Sequence, residues 1–219
     1  MIQKMKNSIV TLAMSIICLA SQFANAQTPT EKKLKFPVYG EIGLGWGQTL
    51  FFGNMKEQLT LSYGGSFNPG FGNNLMMGFY IAPENWKGLG IGSRIKGTFG
   101  TSVIGDNGDS YIFNYYNLAI SAKYYMLSKE FNKGLYARGS FGFGQFTTKR
   151  VNEATYLYKH QYAIGTSLMG GIGYTIPFKK TTLSFEAEFD YSNRNGTIDG
   201  KGDAGYQSGQ IGGNIILSF

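Results

Sequence analysis

One cysteine, one histidine and five prolines are all that this 219-residue chain holds of those types. Cys18 has no partner for a disulfide, which excludes an exported domain stapled by disulfide bonds and a zinc site built on cysteines. Beyond residue 26 no stretch stays apolar for the roughly 18 residues a membrane helix needs, so a multi-span helical membrane protein is excluded too. Glycine and aromatic residues are abundant: there are 32 glycines, and Phe, Trp and Tyr make up 16% of the chain. Glycine with aromatic and β-branched residues in short alternating runs is the composition of sheet, and the length suits one domain.

The first 26 residues read as a targeting segment. Lys4 and Lys6 give a positive start, Ile9 to Ala20 an apolar stretch, and Ala24-Asn25-Ala26 a small-residue cleavage site before Gln27. An uncleaved anchor helix is the alternative, but the apolar stretch is short and ends in small residues. Cys18 lies within that stretch, after Ser15-Ile16-Ile17, so the mature chain has no cysteine. Loss of Lys4 and Lys6 lowers the formal charge from +7 to +5. The remaining basic residues are dispersed, several in presumed turns (Lys87, Lys129, Lys133, Lys179, Lys180), and export makes nucleic acid an improbable partner. Gln27 to Phe36 has no periodicity and is expected to be a periplasmic tail, residues 27–36, ahead of a domain spanning 37–219.

From Pro37 onward the hydrophobic period is two. Eight runs are predicted: 37–47, 70–82, 88–101, 110–126, 134–146, 161–176, 181–192 and 208–219. Most are long enough for a tilted membrane strand of about 9 to 11 residues. One parity is apolar, as in Ile42, Leu44, Trp46 or in Leu118, Ile120, Tyr124, and the other is small or polar, as in Glu41, Gly43, Gly45 or in Asn117, Ser121, Lys123. Alternation alone also fits a soluble sandwich. The connectors decide between them. Long ones (48–69, 147–160, 193–207) and a medium one (102–109) alternate with short ones (83–87, 127–133, 177–180), and both termini fall on the short side. An even strand number with that asymmetry predicts an all-β fold, an eight-stranded antiparallel up-and-down transmembrane β-barrel. Aromatic residues give a second sign. Trp46, Phe71, Phe99, Phe143, Tyr162 and Tyr191 fall near the long-connector ends, and Phe79, Tyr124, Tyr174 and Phe219 near the short ones, two girdles about an aliphatic band.

With its leader, its eight runs and its final Ile215-Ile216-Leu217-Ser218-Phe219, the chain resembles the small eight-stranded outer-membrane barrels, the OmpA/OmpX-like group and the porin-family barrel-domain proteins of Gram-negative bacteria. That resemblance implies residence in outer-membrane lipid. It also implies insertion by the barrel-assembly machinery, with Ile215, Leu217 and Phe219 as the assembly signal. Some small barrels are lipid-modifying enzymes that use a histidine with serine or aspartate partners near the outer leaflet. Here His160, followed by Gln161 and Tyr162, forms no such constellation, and Ser167 falls on the inward parity.

Other motifs are weaker. Gly200-Lys201-Gly202-Asp203-Ala204-Gly205 fits G-x-G-x-x-G but lacks the strand before and the helix after that make it a nucleotide site. Asp106-Asn107-Gly108-Asp109, and Asp199 with Asp203, lack the spacing of a calcium loop and read as turn residues. No cofactor, metal or catalytic residue is therefore assigned.

The inward parity is more informative. It carries Glu41, Arg94, Lys96, Arg138, Glu186, Glu188 and Asp190, on the first, third, fifth and seventh runs. The lumen of eight strands is only wide enough for side chains to fill, and the third strand stands opposite the seventh, so Arg94 and Lys96 should reach Glu186 and Glu188 across the axis. The expectation is a non-enzymatic barrel with long extracellular loops and a structural or surface-interaction role, the ligand of the loops unassigned. A narrow passive pore for small solutes is the second reading, and a lipid-modifying enzyme the third.

Overall fold

The computed structural model describes residues 37–53, 56, 71–104, 110–151, 158–197 and 203–219, so the expected leader, the expected tail at 27–36 and the Asp106 to Asp109 and Asp199 motifs lie outside the described residues. Eight strands form one closed antiparallel barrel in chain order: β1 Val38–Phe52, β2 Phe71–Ile81, β3 Leu89–Ile104, β4 Ser110–Tyr125, β5 Gly134–Val151, β6 Tyr158–Pro177, β7 Thr182–Thr197 and β8 Asp203–Ser218. Closure is made by β1 against β8, from Glu41 opposite Ser218 to Phe52 opposite Gln207. Backbone hydrogen bonds in both directions between Gly40 and Phe219 fasten that seam at the short-connector end. A closed ring leaves no strand edge unpaired, which is the condition for putting sheet in hydrocarbon.

The two parities separate as the alternation predicts. Val38, Ile42, Leu44, Trp46, Leu75, Phe79, Ile91, Ile95, Leu118, Ile120, Phe141, Phe143, Leu168, Ile172, Ile211 and Ile215 are exposed on the outside, whereas Glu41, Asn74, Arg94, Lys96, Asn117, Lys123, Arg138 and Glu188 are buried within. A water-soluble protein does the reverse with such residues. Of the girdle aromatics, Trp46, Phe71, Phe99, Phe143 and Tyr191, and at the other end Phe79, Tyr124, Tyr174 and Phe219, are all outward and exposed. The side chain of Tyr162 lies outside the described residues.

The strands run further outward than the predicted runs. β5 continues to Val151 and β6 begins at Tyr158, so the backbone pairs Thr147 with Tyr162 and Lys149 with His160 inside what reads from sequence as a connector over 147–160. In the same way β1 reaches Phe52, β3 Ile104 and β7 Thr197, while β8 starts at Asp203. Above a membrane both faces of a hairpin meet water, so apolar alternation stops while the hydrogen-bond ladder continues. A bulge contributes on β3. Thr98 pairs with Tyr115 and Thr101 with Phe113, leaving Phe99 and Gly100 opposite Asn114, whose side-chain oxygen accepts from the Gly100 amide. Gly100 takes φ +79°, a left-handed conformation that only glycine adopts without strain.

At the other end the turns are tight. A single 3₁₀ turn, Glu84–Trp86, joins β2 to β3. The segment between β4 and β5 passes through left-handed Lys129 and Asn132, with φ of 55° and 64°, and delivers Phe131 to the mouth of the lumen.

Candidate functional site

The barrel interior is the one place where chemistry-bearing side chains converge among the described residues, and it is stacked in layers. At the short-turn end, Tyr80, Tyr125 and Tyr136 are fully buried. The Phe131 ring stands 4.9 Å from Tyr39, 5.8 Å from Tyr80 and 5.2 Å from Tyr125. Gly173 makes room for this layer, since a Cβ there would lie 2.5 Å from the Tyr136 hydroxyl. The ammonium of Lys123 sits in the aromatic cup, 4.2 Å from the centre of Tyr136 and 5.5 Å from that of Tyr125. Its counter-charge is Glu41, at 2.5 Å. Cation–π attraction and an ion pair thus share one desolvated ammonium. The hydroxyl of Tyr125 donates to Asn132 Oδ1, which fixes the turn beneath it.

The second layer is ionic. Arg138 pairs with Glu186 and also lies 3.0 Å from Glu188. Arg94 pairs with Glu188 and approaches Glu186 at 4.0 Å, and Lys96 Nζ is 2.5 Å from Glu188. The Tyr136 hydroxyl donates to Glu186 at 2.9 Å. Two carboxylates on β7 therefore bind three cations from β3 and β5 across the axis. Lys96 meets Glu188 and, with its remaining donor capacity, Gln210 at 2.6 Å.

Neutral amides and hydroxyls make up the third layer. Thr98 donates to Asn74 at 2.6 Å, Asn74 donates to Asn214 at 3.1 Å, and Asn117 donates to Ser167. Outermost, Asp190 accepts from the hydroxyls of Tyr115 and Ser192, and Arg194 donates to Ser208 at 2.8 Å with its guanidinium 4.2 Å from the Tyr115 ring centre.

Every residue of the predicted lumen set, Glu41, Arg94, Lys96, Arg138, Glu186, Glu188 and Asp190, is thus placed inside. Asp190 stands apart from the other six, held by hydroxyls and in no ion pair among the described residues. Two charges lie outside that set. Lys123 sits on the inward parity of β4, and Arg194 lies two residues past the predicted end of the seventh run. The interior tyrosines leave a sign in the sequence, because consecutive aromatics such as Phe79-Tyr80 and Tyr124-Tyr125 cannot both face outward in a strand.

The other motifs take ordinary places. Asp203, Ala204 and Gly205 open β8, opposite Thr197, Gly196 and Asn195 of β7, so no helix follows the glycine motif. Among the described residues no three His, Cys, Asp or Glu side chains gather as a metal ion would require. His160 belongs to β6, opposite Lys149. Ile215 and Leu217 on the outer face of β8, and Phe219 just beyond its end, are 40 to 46% exposed.

Solved structures with this architecture include Ail, the attachment invasion locus protein of Yersinia pestis, in complex with the heparin analogue sucrose octasulfate: TM-score 0.53 and 15% identity, over 83% of this chain and 99% of that one. A crystal structure of Ail described without that ligand gives a TM-score of 0.50 and 16% identity, over 83% and 98%. This chain is an eight-stranded barrel of the outer-membrane fold. At such identities the shared property is the fold. No family model and no curated protein sequence matches the chain.

Proposed function

We propose that the chain is a non-enzymatic integral outer-membrane barrel whose work is done at its outer end, above a lumen that is closed. The observation that carries this reading is the pairing of an apolar, aromatic-girdled exterior with an interior whose described side chains are buried and joined in layers by ion pairs and hydrogen bonds. A barrel of eight strands has no width to spare, so an aromatic layer, an ionic layer and an amide layer leave no continuous water column. Wild-type protein in a planar bilayer should show little steady conductance. A monomer that conducts steadily would put the narrow passive pore first.

Catalysis is not favoured, because the interior carboxylates among the described residues, Glu41, Glu186, Glu188 and Asp190, are engaged by cations or hydroxyls. The solved relative binds a sulfated sugar analogue, which supports an extracellular ligand for this fold but not the same one here. The outer segments of this chain carry Lys56, Lys149, Arg150, Lys159 and Lys201 against Glu57, Asp106, Asp109, Glu153, Asp199 and Asp203, so they present no net positive charge to a polyanion. Crosslinking at the surface of intact cells, with the partner identified from the crosslinked product, tests the surface role; capture of nothing above a barrel with its outer segments trimmed would count against it.

Export by the leader and insertion by the assembly machinery belong to the same reading. Phe219 joins its backbone to Gly40 across the closing seam while its ring stays on the lipid side. Deleting Phe219 should leave the protein periplasmic and protease-sensitive. Unchanged amounts of folded barrel in the outer membrane would show that the last residue is dispensable.

A further inference from the structure

The two ends of the barrel differ in charge. Among the described residues the three short turns carry Lys87, Lys129, Lys133, Lys179 and Lys180, all exposed, against Glu84 and Glu130. That is an excess of three positive charges, or two once a carboxylate at Phe219 is counted, whereas the outer segments have no positive excess. Glu130 pairs with Lys133 at 3.0 Å, but both side chains are more than half exposed, where such a pair is weak. Among the described residues no ion pair holds the other four lysines.

Their level in the membrane follows from the girdle. Tyr124 and Tyr174 face outward at the short-turn end and mark the boundary between lipid and water. Lys129 and Lys179 come after the ends of β4 and β6, just beyond those rings, which sets their ammonium groups at the depth of lipid headgroups. Each turn also places an exposed apolar side chain ahead of its lysines: Trp86 before Lys87, Leu127 before Lys129, Phe178 before Lys179 and Lys180. Phe178 continues the outward parity of Ile172, Tyr174 and Ile176. An apolar anchor next to an ammonium suits the layer where acyl chains end and phosphates begin. A soluble acidic partner needs no such anchors.

Two further observations fit a built surface. Lys87 and Lys129 stand at φ 49° and 55°, left-handed positions that glycine or asparagine holds with less strain, so what lysine brings there is its charge. Between the β4–β5 turn, the β6–β7 turn and Phe219 lies an open cleft of about 250 Å³, lined by Tyr39, Lys133, Lys180 and Phe219 among others. The Phe219 ring brings that cleft to the lipid face. We propose that the short-turn end docks on anionic glycerophospholipids, such as phosphatidylglycerol, through its five lysines, with one headgroup phosphate held in the cleft between Lys133 and Lys180. This rests on the reading of the chain as an integral membrane barrel and not on the role of its outer end.

The two tryptophans of the chain report on its two ends, Trp46 near the outer girdle and Trp86 in the β2–β3 turn. Trp46→Phe leaves Trp86 as the emitter, and Trp86→Phe leaves Trp46. Each variant is folded into phosphatidylcholine vesicles holding a minor share of acyl-brominated lipid, either phosphatidylglycerol or phosphatidylcholine, so both ends meet one mixture whichever way the barrel inserts. Brominated phosphatidylglycerol should quench Trp86 about twofold more than brominated phosphatidylcholine at the same share, and should quench Trp46 no more. Added salt should shrink the excess. Glutamine at all five turn lysines should abolish it, and Lys149→Gln/Arg150→Gln at the outer end should leave it unchanged. With Phe178→Trp as the emitter in place of both native tryptophans, Lys133→Gln/Lys180→Gln alone should remove the excess beside the cleft. Equal quenching of Trp86 by the two lipids would overturn the docking and turn the basic end toward a soluble acidic partner. An excess that survives loss of the lysines, or one equally large at Trp46, would overturn it too. Failure of the wild type to insert into phosphatidylcholine alone, seen as sensitivity to protease, is a separate result and would count against the membrane barrel itself.

Discussion

Glu188→Ala is expected to destabilise the folded barrel by about 3 to 5 kcal/mol, the cost of breaking a buried ion pair from one side only. Glu188 meets Arg94, Lys96 and Arg138 together. Its removal leaves Lys96 with only Gln210, and Arg94 with the Met76 sulfur and a Glu186 oxygen 4.0 Å away. The sign of the excess charge makes the effect asymmetric. Among the described residues five bases and four acids are buried, so loss of an acid widens the imbalance and loss of a base narrows it. Arg94→Ala should accordingly cost less than Glu188→Ala, because Glu188 keeps Lys96 and Arg138 while Glu186 keeps Arg138 and Tyr136. The double variant should recover part of the Glu188→Ala loss. Urea unfolding in lipid vesicles, followed by tryptophan fluorescence, measures all three. Equal costs for the two single variants, with simple additivity in the double, would mean that water already reaches these groups.

The membrane part of the fold was readable because its outer face meets a single solvent. Lipid demands apolar groups at every second position from Ile42 to Trp46 or from Leu118 to Tyr124, and that demand is written in the sequence with period two. Above the lipid the demand ends, so Thr147 to Val151 and Asn193 to Thr197 carry no such mark although they are paired strand. Arg194 was hidden by that early end of the pattern. The aromatic cap was hidden for another reason. Phe131 lies in a turn, where nothing periodic announces a side chain that folds back across the lumen, and its place depends on the left-handed backbone of Lys129 and Asn132. Cross-axis pairing was legible only as far as strand order allows. Parity and an eight-strand ring put Arg94 and Lys96 opposite Glu186 and Glu188, but that Glu41 should find Lys123 on β4 needs the actual tilt and depth of the strands.

Depth in the bilayer gives the second large effect. Ile120 is 70% exposed on the outer face of β4, between the aromatic Tyr116 and Tyr124 on the same strand. Its neighbours across the ladder, Ser93 on β3 and Phe141 on β5, leave nothing to neutralise a charge placed there. Ile120→Arg should cost about 2 to 4 kcal/mol, the range for a basic residue near the middle of a barrel's lipid face. Tyr191, 39% exposed on β7, stacks with Phe52 at 6.2 Å near the outer girdle. An arginine there can extend its guanidinium into the headgroups, so Tyr191→Arg should cost about 0 to 1 kcal/mol in charge burial. The comparison is made by reversible unfolding of both variants in vesicles of one lipid composition. Lowering the temperature or adding salt leaves the ordering intact, because the penalty belongs to hydrocarbon and not to screened charge. Equal costs at the two positions would mean that the aliphatic band centred on Ile120 does not face lipid, and the exterior of the barrel would then need a protein partner to cover it.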